Sequence, residues 1–188
     1  MAGTTTPPED RRQILELVRR AVRAAASGSP LPDPPDITEL QRQGGAFVTL
    51  KTGDGRLRGC IGHFTGEGSL GETLVSMARA AAVRDPRFRP VRPAEVDDLS
   101  IQVSLLSPME ETDPEDVVPG EHGIYIRSGP FAGTLLPQVA EEEGWDRETF
   151  LSHTCLKAGL SPDCWKRSDT TVYTYTAEVF GDNGGEAT

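Results

Sequence analysis

The feature that most constrains the fold of this chain is a pair of strand-like runs joined by a short glycine-containing turn. AFVTLK occupies residues 46–51 and RLRGCIGHF occupies residues 56–64, with TGDG between them. Asp-Gly followed by nearby apolar alternation is typical of a β-hairpin, because glycine adopts the backbone angles that a tight turn requires. A hairpin makes its two strands antiparallel. The sequence therefore predicts an antiparallel sheet.

Helical and strand-like segments follow one another irregularly in the rest of the chain. Apolar residues at helical spacing predict a helix ending near residue 26, with Thr6 and Glu9 as its capping box. A second predicted helix begins at Ser69 and ends before Pro86. Other strand-like or helical runs lie at 99–106, 122–137, 137–159 and 170–180. Without repeated βαβ units, this order favours an α+β fold, a mainly antiparallel sheet flanked by helices.

Length and charge narrow the class of protein. The 188 residues suit one domain with a substantial core and room for a smaller lobe. No apolar run approaches the ~18 residues of a membrane-spanning helix, and the start of the chain does not resemble a secretory signal, so we expect a cytoplasmic protein without membrane contact. The formal net charge of -10 argues against nucleic acid as a partner.

The three cysteines are an odd number in a chain without a secretory signal, so we expect reduced thiols rather than a disulfide framework. A metal site built from His153, Cys155 and Cys164, with Cys60 as a fourth ligand, is disfavoured. Their spacing lacks the short paired loops of structural zinc sites. No phosphate-binding glycine loop or dinucleotide motif is present, and we expect neither a metal nor a cofactor.

Cys60 is the main candidate for chemistry. Strand alternation places Arg58, Cys60 and Gly62 on one face, with Leu57 and Ile61 directed to the core. A nearby guanidinium lowers the pKa of a thiol, so Arg58 would favour a Cys60 thiolate. The alternative is a small buried residue, since free cysteine is among the most buried residue types.

The two glycines around Cys60 allow the same two interpretations. Gly59 and Gly62 would let a ligand or another backbone approach closely, or would serve strand packing alone. A thiolate nucleophile also needs a base. His63 points to the face opposite Cys60, so His122, at the entry to another strand, is the better candidate.

The segment RDPRFRPVRP at 84–93 is rich in arginine. Asp85 and Arg87 suit the turn after the second helix, and Arg87 and Arg89 could present guanidinium groups to a carboxylate or phosphate. If this segment lies beside Cys60, the thiol and the arginines share a cleft. The alternative is a surface loop that pairs with acidic residues elsewhere.

Several of these runs occur together, and in the same order, in a known family. They are LRGCIG (57–62), DPRF (85–88), VSLL (103–106), HG (122–123), GTLLPQVA (133–140), GWDRETFLSHTCLKAGL (144–160) and YTAEVF (175–180). The chain resembles the AMMECR-type domain, the AmmeMemoRadiSam system protein A of bacteria and archaea. One departure is His63, where the family pattern usually has threonine, so a role assigned to that hydroxyl does not transfer.

The resemblance implies a two-lobed α+β fold, and we expect the domain to cover 9–180 after an N-terminal tail at 1–8. The polar, glycine-rich end at 181–188 is expected to be a disordered tail. The resemblance also implies a Memo-like protein and a radical S-adenosylmethionine protein as partners. The family's biochemical activity is not established, so the resemblance implies no reaction.

Two functions follow as hypotheses. In the first, the chain is a binding or adaptor subunit for these two partners. In the second, it is an enzyme in which Cys60 attacks a small anionic substrate, with Arg58 lowering its pKa and His122 as base. In both, the candidate binding residues are Gly59, Gly62, His63, Asp85, Arg87 and Arg89.

Overall fold

The predicted hairpin is present in the computed structural model of the protein, which describes residues 5–66 and 68–182. Strand β1 (Ala46–Lys51) pairs antiparallel with strand β2 (Leu57–His63). Gly55 in the turn has a φ of 82°, a conformation that glycine adopts without strain. The pairing register shifts between Leu50 and Lys51, beside this turn.

Two compact units make up the chain. Unit 1 runs to Leu106 and resumes at Glu178, and unit 2 is Ser107–Ala177. The helices of unit 1 are α1 (Pro8–Ser27), α2 (Thr38–Gln41) and α3 (Leu70–Val83), with a 3-10 helix at Pro93–Asp98. Its sheet adds β3 (Ser100–Leu106) and a last strand, Ala177–Gly181, to the hairpin, in the order β2, β1, β3, last strand.

The core of unit 1 lies between one face of this sheet and the helices α1 and α3. Every second residue of β1 and β3 is buried there, and α1 contributes one stripe at helical spacing. The main contributors are Ile14, Leu17, Val18, Val48, Leu50, Leu74, Ala78, Ile101 and Val103. The opposite face of the sheet carries none of these aliphatic side chains.

Unit 2 has its own sheet and its own core. Its elements in chain order are β4 (Glu110–Glu111), a 3-10 helix (Pro114–Asp116), β5 (Gly123–Ser128), β6 (Phe131–Leu135), α4 (Pro137–Glu143), α5 (Arg147–Lys157), a 3-10 helix (Cys164–Lys166) and β7 (Thr171–Tyr175). The strand order is β4, β7, β5, β6 with antiparallel pairs. The unit 1 strand Ala177–Gly181 is β8.

The architecture confirms the α+β, two-lobed prediction with antiparallel sheets. Among the described residues, no helix has the length and apolar character needed to cross a bilayer.

The chain ends differ in detail from the sequence-based prediction. The capping box of Thr6 and Glu9 is not formed, because α1 begins at Pro8 and the Thr6 hydroxyl instead donates to Glu178 Oε2 at 2.6 Å. At the other end, Gly181 closes β8 and the Asp182 amide donates to Ile101 O at 3.1 Å. Of the tail predicted to be disordered, residues 183–188 lie outside the described residues.

The expectation of three reduced thiols is wrong for two of them. Cys155 on α5 and Cys164 in the last 3-10 helix form a disulfide, with Cα atoms 5.8 Å apart. Both residues are fully buried in the core of unit 2. The turn after α5 brings together two thiols whose separation of nine residues gave no indication of contact. Cys60 is the free cysteine.

Candidate functional site

Cys60 lies on the face of the unit 1 sheet that is turned away from α1 and α3. We call this surface the outer face. Its residues alternate along the three strands with the buried core positions, and each is half-buried. They are Phe47, Thr49, Arg58, Cys60, Gly62, Gln102 and Ser104.

A polar row crosses the outer face at Cys60. Thr49 of β1 is paired with Cys60 on one side and with Gln102 of β3 on the other. The Thr49 hydroxyl donates to Cys60 Sγ at 3.3 Å. The thiol is therefore neither sealed in the core nor without a polar neighbour.

The DPRF segment lies beside the Cys60 strand. The Cys60 amide donates to Asp85 Oδ2 at 2.9 Å, and Arg87 Nη2 donates to the Cys60 carbonyl at 3.0 Å. Arg87 also donates to the Asp85 carboxylate from Nε at 2.9 Å and from Nη2 at 2.7 Å. Asp85 and Arg87 thus bond to each other and to the backbone of Cys60.

This arrangement explains the electrostatics of Asp85, which is only 4% exposed. The Arg87 guanidinium donates to the carboxylate and holds the pKa of Asp85 well below its ordinary value, against the effect of burial. The backbone amides of Cys60 and Arg87 act in the same direction. A carboxylate with several donors stays ionised although it is buried.

Arg58 makes its side-chain hydrogen bonds with the 84–93 segment and with Glu95. It shares the outer face with Cys60, but its Nη1 donates to the Arg89 carbonyl at 2.9 Å and its Nη2 to the Pro90 carbonyl at 3.3 Å. The same Nη2 pairs with Glu95 at 3.4 Å. The long side chain thus joins β2 to the 84–93 segment and to Glu95. Arg89 itself contributes a carbonyl here, and its side chain is exposed.

The glycines beside Cys60 serve packing. A Cβ on Gly59 would lie 2.2 Å from the Ala81 carbonyl of α3, and one on Gly62 would lie 2.1 Å from the Phe47 ring. The first contact lets α3 lie directly on β2. Leu57 was expected in the core, but it is 40% exposed, because the last turn of α3 already covers Gly59 and leaves the start of β2 uncovered.

The two candidate histidines make hydrogen bonds within their own units. His63 is exposed at the end of β2, and its Nδ1 lies 2.7 Å from the Thr65 carbonyl. His122 belongs to unit 2, where its Nδ1 accepts from the Val118 amide at 3.2 Å. The hydrogen bonds described for Cys60 join it to Thr49, Asp85 and Arg87, all in unit 1.

The residues of the disfavoured metal site make other contacts. Cys155 and Cys164 are bonded to each other, and the His153 ring stacks on Trp145 with ring centroids 4.0 Å apart. Across residues 5–66 and 68–182, no three His, Cys, Asp or Glu side chains form a group that could hold a metal ion.

Three polar residues of the outer face were not among the sequence candidates, and neither was Phe47. The three are Thr49, Gln102 and Ser104. A signal for them existed, since the hairpin turn sets Thr49 opposite Cys60, and the apolar alternation of 99–106 turns Gln102 and Ser104 away from the core.

The chain is similar to archaeal proteins over nearly its whole length. The AMMECR1 family model matches residues 15–180. Protein TK0174 of Thermococcus kodakarensis is 44% identical over 179 residues, covering 89% of this chain and 87% of that protein. Protein MK0488 of Methanopyrus kandleri is 43% identical over 188 residues, covering 95% and 91%. The crystal structure of the uncharacterized protein PH0010 from Pyrococcus horikoshii matches with a TM-score of 0.74 and 42% identity, covering 91% of this chain and 90% of that one.

Proposed function

This chain belongs to the AMMECR1 family, and from that premise we propose that it is a binding or adaptor subunit that docks its partners on the outer face around Cys60. The partners are a Memo-like protein and a radical S-adenosylmethionine protein, the two classes that the family resemblance implies.

The distribution of charge around Cys60 carries the proposal. Arg58 donates to two carbonyls and pairs with Glu95, and Arg87 is paired with Asp85. These contacts make the cluster rigid before any partner arrives. A preorganised surface loses little conformational entropy on binding, which favours association.

What remains on the outer face is neutral. Thr49, Cys60, Gln102 and Ser104 offer hydroxyl, thiol and amide groups, and Phe47 adds an aromatic ring packed against Phe64 with centroids 4.9 Å apart. The centres of protein interfaces are depleted in charge and enriched in aromatic side chains. The outer face has this character.

Catalysis by the thiol has less support. In the part of the chain that the structure describes, no histidine or carboxylate accepts a hydrogen bond from Cys60 Sγ. A nucleophile, a base and an orienting group within reach of one another are the usual signature of covalent catalysis.

One contact favours the enzyme as a second candidate. The Thr49 hydroxyl donates to Cys60 Sγ at 3.3 Å, so the thiol has a side-chain partner that orients it on the outer face. A small anionic substrate would then meet the exposed sides of Arg87 and Arg89. This candidate requires a base from a partner or from the substrate itself.

A set of single substitutions separates the two candidates. We expect Cys60→Ala and Gln102→Ala each to weaken binding of the purified partners about tenfold, as loss of a contact worth ~1.4 kcal/mol would. Isothermal titration calorimetry measures the affinity, and thermal unfolding checks the fold. Ser76→Ala is the control, because Ser76 is exposed on α3, outside the outer face.

The opposite pattern would favour chemistry. If Cys60→Ala binds both partners normally but fails to restore function in cells, the thiol reacts and the docking proposal is wrong. Unchanged affinity in Cys60→Ala and Gln102→Ala together would remove the outer face as the docking surface.

A further inference from the structure

Strand β2 is the edge of the unit 1 sheet. It pairs with β1 on one side, and no other strand among the described residues pairs with it on the other side. The free side of an edge strand presents backbone amides and carbonyls in a row, which another strand can pair with. Such edges require protection in a protein that remains soluble.

Cys60 is the central residue of this free edge. In an antiparallel pair, alternate residues direct both backbone groups toward the partner strand or away from it. Both backbone groups of Cys60 bond to side chains of the 84–93 segment, so they point away from β1. Thr49 and Cys60 therefore form a non-hydrogen-bonded pair. The Cα atoms of such a pair are ~4.5 Å apart, which brings the Thr49 hydroxyl close to the thiol.

Two side chains cover this edge in place of a strand. Asp85 accepts the Cys60 amide at 2.9 Å, as a strand carbonyl would, and Arg87 donates to the Cys60 carbonyl at 3.0 Å, as a strand amide would. The bidentate bond between them fixes their spacing. We call Asp85 and Arg87 the edge clamp.

The segment that carries the edge clamp is fastened at its far end too. The Val91 amide donates to the Ala82 carbonyl at 2.8 Å, which closes the loop after α3. Arg58 of β2 donates to the carbonyls of Arg89 and Pro90. Side chains of the 84–93 segment thus bond to the backbone of β2, and a side chain of β2 bonds to the backbone of that segment.

We propose that the edge clamp keeps this chain from associating with a second copy through β2. In its absence the two β2 strands pair antiparallel about a two-fold axis at Cys60. That register sets Arg58 of one copy opposite Gly62 of the other, so it brings no like charges together. It also brings the two Cys60 residues side by side.

The first measurement tests the clamp itself, on the protein without any partner. In Asp85→Ala/Arg87→Ala, hydrogen exchange of the Cys60 amide should be at least about tenfold faster than in the wild type, because the amide loses its acceptor. The matched control is Arg167→Ala/Asp169→Ala. Its guanidinium and carboxylate have the same bidentate geometry, at 3.0 and 2.7 Å, on an exposed loop.

The second measurement tests what the clamp prevents. Sedimentation equilibrium should show the clamp variant at twice the mass of one chain and the control variant at the mass of one chain. Cys60 is the free cysteine, so a short bismaleimide should join two copies of the clamp variant through Cys60 and leave the wild type unjoined. If the double variant does not fold, Arg87→Ala alone opens the Cys60 carbonyl and is tested in the same way.

A folded clamp variant that stays monomeric would overturn the proposal, and so would a dimer that the bismaleimide does not join. An unchanged exchange rate at Cys60 would show that the clamp does not protect the edge. None of these outcomes depends on whether the outer face docks a partner, so the two proposals fail independently.

Discussion

Asp85 carries the only buried charge among the described residues. A buried carboxylate is costly unless donors surround it, and here two backbone amides and one guanidinium do so. Its position in the loop after α3 connects that loop to the centre of β2. Asp85 therefore holds the candidate site together, whereas Cys60 was the main candidate from the sequence.

The depressed pKa of Asp85 has a consequence for stability. The group is ionised in the folded protein at a pH where the unfolded chain already binds a proton, so it stabilises the fold at neutral pH. This contribution is lost as the pH falls below the ordinary carboxyl range of ~4. We expect Asp85→Asn to lower the free energy of unfolding at pH 7 by about 1 to 3 kcal/mol and to flatten its decline in acid.

Urea unfolding at a series of pH values between 7 and 3 measures this effect. Asp169→Asn is the control, since that carboxylate is exposed and solvent screens its pair with Arg167. An equal loss of stability at every pH in Asp85→Asn would assign the effect to packing instead of charge.

At the scale of elements, the contact between α3 and β2 depends on the absence of a side chain. Gly59 allows the Ala81 carbonyl to approach the strand, and the helix then buries Leu74 and Ala78 against the sheet. The capping box of Ser69 and Glu72 fixes where this helix begins. The strand that carries Cys60 is therefore positioned from its core side by α3 and from its edge by the clamp.

Gly59→Ala should disrupt this contact. The new Cβ would lie 2.2 Å from a backbone oxygen, which cannot turn aside as a side chain does, so helix and strand must separate. We expect a loss of about 2 kcal/mol or more in the free energy of unfolding, measured with urea. Gly53→Ala is the control, because its Cβ would lie 3.8 Å from the nearest atom, Asp98 O. Equal stability in the two variants would contradict the close approach.

Local rules made the hairpin and its faces predictable from the sequence. Strand alternation correctly placed Arg58 and Cys60 on one face, since period two is a property of the backbone. The destination of the Arg58 guanidinium was not predictable, because a long side chain reaches whatever the tertiary fold brings near. The same reason applies to Cys155 and Cys164, whose contact depends on how the chain turns after α5.

At the scale of the whole molecule, the two units are stabilised differently. Unit 1 relies on a larger aliphatic core, whereas unit 2 adds a buried disulfide to a smaller one. A disulfide stabilises mainly by restricting the unfolded chain, and a short loop such as this one contributes about 2 to 3 kcal/mol.

Reduction should therefore weaken unit 2 selectively. With a phosphine reductant, or in Cys155→Ala/Cys164→Ala, we expect hydrogen exchange to accelerate in α5 and β5 while the α1 and α3 amides keep their protection. Cys60→Ala under oxidising conditions is the control, because that residue takes no part in the disulfide. Uniform acceleration through both units would show that they unfold together.

Unit 2 is inserted in the sequence between the first part of unit 1 and the last strand of unit 1. Unit 2 is continuous in sequence, and its ends meet where the Ser107 amide donates to Thr176 O at 3.0 Å and the Thr176 amide donates to Ser107 Oγ at 2.9 Å. Unit 1 lacks its last strand, β8, until Gly181 has been added. Domains usually fold in the order in which the ribosome releases them. Here β8 follows unit 2 in the sequence, so the part of unit 1 that is synthesised first cannot complete its sheet until all of unit 2 has been made.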